Sequence, residues 1–169
     1  EEENVNLNYN TDYSQVSFQD GFLIKSFEIA DFIKNADVVI NMPKLKTHSF
    51  MKYTGAVKNI FGAIPGMKKA EYHLRMPEAD NFALMLVDLA RLVNPQLNIM
   101  DAVHGMEGAG PSAGEKRKFG YLMASSSSFA LDVAGTYLFN MNLEEVPTIY
   151  QAGQQGLINS FDEVKIYGD

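Results

Sequence analysis

The sequence predicts an α/β fold in which helices pack on a mostly parallel or mixed β-sheet. Short apolar runs rich in β-branched residues alternate with segments whose apolar residues recur at helical spacing. Their order along the chain is β, α, α, β, β, α, α, β, with long connections, which is typical of a sheet layered by helices. At 169 residues, 46% of them hydrophobic, the chain has the size of a single globular domain.

The N-terminal part of the chain is predicted as an extended segment followed by the start of this domain. Residues 1–20 are polar and lack clear periodicity, so we expect extended chain there and the α/β domain over residues 21–169. Residues 22–24 are predicted as a short strand. Residues 27–33 are predicted as a helix, because their apolar side chains recur at a spacing compatible with successive turns.

The remaining elements follow from apolar runs and from the prolines that end them. Pro43 ends a short strand expected to be buried on both faces, because proline has no N–H for the ladder. Pro95 ends the longest helix. The predicted strands cover residues 37–41, 97–101, 118–124 and 163–167. The predicted helices cover residues 54–62, 68–76, 79–93, 128–140 and 147–156.

Composition excludes several classes of function. The chain has no cysteine, which excludes disulfides, thiolate-bound zinc and a cysteine-held iron–sulfur cluster within it. A sequence pI near 4.9 argues against general nucleic-acid binding, for which a positive footprint is expected. No apolar run reaches the roughly 18–20 residues of a membrane span. We therefore expect a soluble protein without a membrane or nucleic-acid partner, with the cytoplasm as its default compartment.

One stretch of the chain differs from the rest in charge. Residues 41–75 hold six of the eleven lysines, one of the three arginines and two of the three histidines, with Glu71 as their single acid. Their balance is about +6, whereas residues 1–40 sum to −6 and residues 76–169 to −7. A basic island between two acidic segments favours binding of a small local anion over binding of a polyanion.

The basic island contains side chains arranged to hold an anion. Lys44, Lys46 and His48 lie two apart, so in an extended segment all three point to the same side. At the carboxyl edge of a parallel sheet they could clamp a phosphate or a carboxylate. Lys58 and Asn59 share a helix face without bulky side chains and are further candidates. The alternative is a solvated loop whose lysines only favour solubility.

Two glycines flank the helix face that carries Lys58. Glycine within a helix costs about 1 kcal/mol relative to alanine. Gly55 and Gly62 therefore indicate close approach by a ligand or by another backbone. The alternative is that they only begin and cap the helix.

Acidic and imidazole side chains cluster after a later strand. Asp101, His104 and Glu107, with a histidine of the basic island, could form a divalent-metal site of oxygen and nitrogen ligands. Their spacing matches no helical His–Glu metal motif, so the alternative is ordinary polar residues. Backbone amides around Gly108 and Gly110 could form an anion-binding nest facing the lysines, or only a turn that needs positive φ.

Three of these side chains are candidates for catalysis if they share a pocket. Like charges and burial would favour a neutral Lys46 or Lys58, which could act as a base. Glu107 could transfer a proton or hold the metal. The pattern specifies no reaction, so whether the protein is an enzyme stays open.

Four motifs stand out along the chain. They are Asn41–His48, Thr54–Gly62, Asp101–Gly108 with the following Gly110-Pro111, and Ala130–Asp132. In this order, and over about positions 20–168, they resemble the DUF362 family of uncharacterised bacterial and archaeal proteins. Members of that family often carry an appended ferredoxin-type 4Fe–4S module, which a chain without cysteine cannot supply.

The chain departs from the family pattern at several points. Ala63 stands where relatives frequently have cysteine, and Ser127 where an aspartate is usual. The resemblance also implies a further α/β segment at the N-terminus, so we expect an N-terminally truncated fragment or a shortened member. A fragment would expose a sheet edge or an apolar face, which a homodimer or another partner would cover.

The sequence thus predicts a phosphate or carboxylate ligand in a pocket lined by lysine and histidine, with a divalent metal as a further prediction. The alternative is a non-catalytic, redox-associated module that docks an acidic partner such as a ferredoxin through the basic island. Shape discriminates between them, because a small ligand needs a concave site and protein docking favours a flat one.

Overall fold

The computed structural model describes residues 6–158 and 160–168, and in it helices lie against one face of a mixed β-sheet. The strands are β1 Tyr13–Ser17, β2 Ser26–Ala30, β3 Ile40–Asn41, β4 Lys44–His48, β5 Lys52–Thr54, β6 Leu97–Glu107 and β7 Glu115–Ser125. The α-helices are α1 Asp31–Lys34, α2 Ala56–Asn59, α3 Gly66–Arg75, α4 Ala79–Val93, α5 Ser128–Leu138 and α6 Pro147–Gln154. Short 3₁₀ turns cover Ile60–Ala63, Leu143–Glu145 and Phe161–Glu163.

The central strand of the main sheet is β6. Strand β7 pairs antiparallel with one edge of β6, while β3 and β4 pair parallel with its other edge. Strand β5 then pairs antiparallel with β4. Pro43 separates β3 from β4, and its carbonyl oxygen still accepts the N–H of Asp101 at 2.9 Å. The predicted α/β fold with a mixed sheet is confirmed.

Two apolar clusters fix the helices to the rest of the molecule. In the first, α4 packs through Phe82 and Leu86 against the ring of Phe61 and against β2. In the second, the inward side chains of β4 and β6, Leu45 and Met100 among them, pack on α5 and α6. All of these side chains are nearly or fully buried, so the helices cover the face of the sheet to which Leu45 points.

Helix α4 has the predicted bounds and is the element around which the first cluster forms. It is 15 residues long and is followed by Asn94, whose φ of 43° gives a left-handed cap. Its apolar residues face the core over most of its length. Within the described part of the chain, no helix combines the length and apolarity needed to cross a membrane.

The predicted helix over residues 27–33 is wrong. Strand β2 occupies Ser26–Ala30 and pairs antiparallel with β1, which lies within the predicted extended segment. Its Phe27 and Ile29 are buried and alternate with polar residues, which is the period of a strand. Only Asp31–Lys34 is helical, because a period of two outweighs the weaker helical spacing of the same apolar residues.

The predicted strand over residues 22–24 is also wrong, and a buried carboxylate explains the conformation there. Asp88 of α4 accepts the backbone N–H groups of Phe22, Leu23 and Ile24 at 2.7, 2.7 and 2.9 Å. These N–H groups are therefore not available to a neighbouring strand.

Two other predicted strands differ from the structure. In the predicted strand 163–167, Glu163 ends a 3₁₀ turn and residues 164–167 form no strand, since among the described residues no neighbouring strand pairs with them. Ile166 is 62% exposed. Of residues 37–41 only Ile40 and Asn41 are strand. Asn41 is buried whereas Ile40 is 54% exposed, so this strand is covered on one face rather than on both.

A buried polar network joins β3, β6, α2 and α5. The Asn41 side-chain amide donates to the Asn98 Oδ1 at 2.8 Å and to the carbonyl of Ala56 at 3.0 Å. The Asn41 Oδ1 accepts from the Asn59 side chain at 2.8 Å. Ser128 donates its hydroxyl to the Asn98 Oδ1 at 2.9 Å. These bonds tie the start of α2 to strands β3 and β6.

The first turn of α2 is also held by Asp132 of α5. This fully buried carboxylate accepts the N–H groups of Ala56 and Val57, the latter at 2.9 Å. Burial raises the pKa of Asp132 to about 7, although the two N–H groups favour its charged form. Gly55 is required beside it, because a Cβ there would collide with the Asp132 carboxylate and the Tyr53 hydroxyl.

We expect Asp132→Asn to lower the free energy of unfolding by about 1–3 kcal/mol, because the amide would present a donor to one of the two N–H groups. Urea unfolding at neutral pH measures this cost. Asp37→Asn, at an exposed position, is the matched control and should stay within about 0.5 kcal/mol of wild type. Equal midpoints for both variants would contradict the role assigned to Asp132.

Candidate functional site

The basic residues of β4 and α2 line one open depression of about 280 Å³, which we call the cationic depression. It lies where the chain passes from β5 into α2. The 3₁₀ turn Ile60–Ala63, α3 and the loop between β6 and β7 complete its wall. The lining residues are Lys44, Lys46, His48, Thr54, Lys58, Asn59, Phe61, Gly62, Lys69 and Pro111.

Strand β4 supplies three of these residues through the alternation of an extended chain. Lys44, Lys46 and His48 lie on the more exposed side, whereas Leu45 and Thr47 are buried on the other. The sequence-based expectation that the three cationic side chains share one side agrees with this pattern. A buried Leu45 fixes the orientation of the strand, and with it the orientation of its two lysines.

Helix α2 and helix α3 add two further lysines to the lining. The Nζ atoms of Lys58 and Lys69 lie 5.9 and 6.0 Å from the centre of the Phe61 ring. The pKa of Lys58 is lowered, first by burial and then by repulsion from Lys46 and Lys69. A partly buried ammonium group is thus surrounded by other positive charges.

His48 takes part in the cationic depression as a neutral ring. Its Nδ1 accepts the backbone N–H groups of Phe50 and Met51 at 3.1 and 3.2 Å. Burial, followed by repulsion from Lys58 and Lys46, lowers its pKa to about 4. With Nδ1 acting as an acceptor, the proton of the neutral ring is on Nε2. The ring therefore offers one N–H donor at neutral pH.

Most of the positive charge in the cationic depression is not balanced by an acid. None of the described residues that line it is acidic. Lys44 forms an ion pair with Asp101 at 2.6 Å, but no described residue forms an ion pair with Lys46, Lys58 or Lys69. Uncompensated charge beside partly buried donors is a property of anion sites.

Two of the three predicted metal ligands form ion pairs with cations of the chain itself. Asp101 pairs with Lys44, which lowers its pKa, and Glu107 accepts both of its bonds from Arg117 at 2.9 and 2.8 Å. His104 lies opposite Lys118 in the β6–β7 ladder. Among the residues that the structure describes, no group of three or more acidic or histidine side chains could hold a metal ion. The metal site stays a prediction.

Glu107 does not join the lysines, contrary to the shared pocket expected from the sequence. It lines a separate depression together with Gly108 and the charged half of β7. Asp101 reaches the cationic depression only through Lys44. The register of the β4–β6 pairing shifts between Lys44 and Lys46. The sequence pattern did not predict this irregularity.

The loop between β6 and β7, which contains Gly108 and Gly110, packs on the end of β4. Thr47 donates its hydroxyl to the Gly108 carbonyl at 2.9 Å, and the Gly110 carbonyl accepts the Ser49 N–H at 3.0 Å. The Gly110 N–H donates to the Gly108 carbonyl at 2.7 Å, so it is not turned toward an anion. The loop instead contributes Pro111 to the wall of the cationic depression.

Sequence reasoning missed two residues that shape this region. Lys69 lies within the basic island but was not a candidate, because its face of α3 could not be related to β4 without the fold. Asp132 belongs to the fourth motif, and its signal was a charged residue in the apolar helix 128–140. A buried charge of this kind requires hydrogen-bond partners, which the structure identifies as the N–H groups of α2.

Comparison with known proteins gives one relative and one family. The curated Thylakoid-associated protein sll1697 from Synechocystis sp. (strain ATCC 27184 / PCC 6803 / Kazusa) is 41% identical over 124 residues. The match covers 73% of this chain but 39% of the relative, so the chain spans well under half of that protein. No solved structure matches. The family model described as Domain of unknown function (DUF362) matches residues 1–137, and the chain therefore belongs to the DUF362 family.

Proposed function

We propose that the cationic depression binds the phosphate or carboxylate group of a small molecule. The observation that carries this proposal is the environment of Lys58, which is partly buried and repelled by Lys46 and Lys69. Holding three like charges together costs free energy that a bound anion would recover. Lysines that only favour solubility would instead be spread over the surface.

Each lining side chain has a distinct part in this proposal. Lys46 of β4 and Lys58 of α2 would each supply charge-assisted hydrogen bonds to the anion. Lys69 would add charge above the Phe61 ring. His48 would donate from Nε2 as a neutral group, which adds direction without further repulsion. Asn59 is held by its bond to Asn41 at 2.8 Å, so its position is fixed before the ligand arrives.

The competing function is docking of an acidic partner, such as a ferredoxin, on the same lysines. The open form of the depression favours it. Against it, Lys58 and the His48 ring are partly buried, and a flat partner would contact mainly exposed groups. We favour the small anion because its size allows it to reach these recessed donors.

The same geometry limits which residues could act in catalysis or bind a metal ion. Lys58, with its lowered pKa, is the best-placed base if a reaction occurs. Glu107 is paired with Arg117 elsewhere, so it would not act with Lys58. A divalent cation bound with the anion would compete with Lys44 for Asp101. The cytoplasmic location expected from the sequence stays a prediction, and the relative's name associates that other protein with thylakoids.

We expect Lys46→Gln and Lys58→Gln each to weaken binding of methyl phosphate and acetate about tenfold or more, because each removes a hydrogen bond from a charged donor. Isothermal titration calorimetry at low salt measures this. Lys165→Gln, at an exposed position far along the chain from every lining residue, carries the same charge change and should leave both affinities unchanged.

The same titration separates the two functions. A polyglutamate peptide that binds through Lys46 and Lys58, when neither methyl phosphate nor acetate binds, would establish docking and overturn the proposed small-anion site. Equal losses in all three lysine variants would show that only the overall charge matters.

We expect the free energy of unfolding to fall as pH decreases from about 6.5 to about 4, in part through His48. Its folded-state pKa is lowered to about 4 from 6.5, so in this window the unfolded state binds a proton that the folded state does not. Above pH 6.5 the effect is absent. His48→Asn keeps an acceptor for the two backbone N–H groups and does not titrate, so it should lose less stability in acid.

Sulfate, which keeps its charge over this range, should raise the pKa of His48 if it binds in the cationic depression. An NMR titration of the His48 ring protons with and without sulfate measures this shift. An unchanged pKa would show that the anion lies elsewhere.

A further inference from the structure

A second depression adjoins the cationic one and differs from it in character. It has a volume of about 220 Å³ and its wall is mainly apolar, so we call it the apolar depression. The two depressions share Asn59 and Gly62 in their walls. The other residues of the apolar depression are Phe32, Ile33, Val39, Ile40, Asn41, Met42, Ile60, Ala63, Val93 and Pro95.

Large apolar side chains are exposed around this second depression. Met42 is 69%, Ile40 54% and Phe32 46% exposed. Single exposed apolar side chains are ordinary, but three on the wall of one concavity form a patch of the kind that marks a binding surface. Met42 lies in the connection between β3 and β4, two residues before Lys44, so the patch adjoins the row of cations.

Gly62 lies at the junction of the two depressions, and neither packing nor backbone conformation requires glycine there. A Cβ at this position would meet no heavy atom within 4 Å, and its φ lies outside the left-handed range. Gly55, by contrast, is required by Asp132 and Tyr53. Of the two glycines that flank Lys58, only Gly62 leaves open space, and it lines both the cationic and the apolar depression.

The two depressions together have the volume of a small-molecule site. Small-molecule pockets typically have volumes of about 300–1,000 Å³. Neither the cationic depression, at 280 Å³, nor the apolar one, at 220 Å³, reaches this range alone, whereas the two together do.

We propose that the ligand is an amphiphilic anion with its phosphate or carboxylate head in the cationic depression. Its apolar chain crosses Gly62 and lies against Ile40 and Met42 in the apolar depression. This inference rests on the proposed function, because the head uses the same lysines. It adds the chemical class of the ligand, namely a medium-length acyl or alkyl anion instead of a wholly polar metabolite.

The test compares octyl phosphate, kept below its critical micelle concentration, with methyl phosphate by calorimetry. Each buried methylene should tighten binding about fourfold, at about 0.8 kcal/mol per CH₂. We therefore expect octyl phosphate to bind at least roughly 50-fold more tightly than methyl phosphate. The gain should disappear in Lys46→Gln combined with Lys58→Gln, because an unanchored chain binds weakly.

Two variants test where the octyl chain of the ligand binds. Met42→Ser should weaken octyl phosphate about fivefold and leave methyl phosphate unchanged. Leu122→Ser is its matched control, because Leu122 on β7 is 70% exposed, against 69% for Met42, and lines neither depression. Gly62→Leu should fill the junction and weaken octyl phosphate more than tenfold. If this variant misfolds, Met42→Ser still decides.

The outcomes separate this inference from the proposed function. If methyl phosphate binds through the lysines and octyl phosphate binds no more tightly, the inference is wrong and the proposed function stands. If neither methyl phosphate nor octyl phosphate binds, both the inference and the proposed function are wrong. If vesicles containing phosphatidylglycerol bind and monomeric octyl phosphate does not, a lipid surface is the partner and the inference is overturned. Equal losses in Met42→Ser and Leu122→Ser would likewise overturn it.

Discussion

The carboxylate of Asp132 determines where α2 begins, and the cationic depression depends on that position. Helix α2 is a single turn, too short to be stable through its own hydrogen bonds. Asp132 holds its N–H groups from one side, and the Asn41 network holds its first carbonyl and Asn59 from the other. With the turn fixed at both ends, Lys58 is held close to Lys46 despite their repulsion. Tertiary contacts, rather than helix propensity, thus position half of the site.

The other half could be predicted from the sequence because it follows from local geometry. A residue period of two places Lys44, Lys46 and His48 on one side of any strand, whatever sheet that strand joins. The charge contrast between residues 41–75 and their flanks identified the same region. Assigning Glu107 to it failed for a non-local reason. The register shift in β6 and the attraction of Arg117 across the ladder direct that carboxylate elsewhere, and neither effect has a signature in the residue order.

The errors in secondary structure have a common physical origin. The apolar residues of segment 22–34 fit both a helical and a strand spacing. Partners outside the segment, namely β1 and the Asp88 carboxylate, decide its conformation. The end of the chain shows the converse, since residues 163–167 have strand-like composition but gain no partner strand among the described residues. By contrast, α4 was predicted with its bounds because Pro77 and Pro95 enclose a helix whose apolar face is long and regular.

Strand β7 has a consequence for the behaviour of the protein at high concentration. Within the described residues only β6 pairs with it, so its outer edge presents unpaired backbone groups over eleven residues. Its second half, Phe119–Ala124, has no charged residue and resembles segments that add strands from other molecules. Its first half carries Lys116 and Lys118, whose repulsion opposes edge-to-edge stacking, whereas Arg117 is paired with Glu107. Salt that screens these two lysine charges should therefore promote fibrillar aggregation, because a short basic segment outside the binding site protects this edge of the sheet.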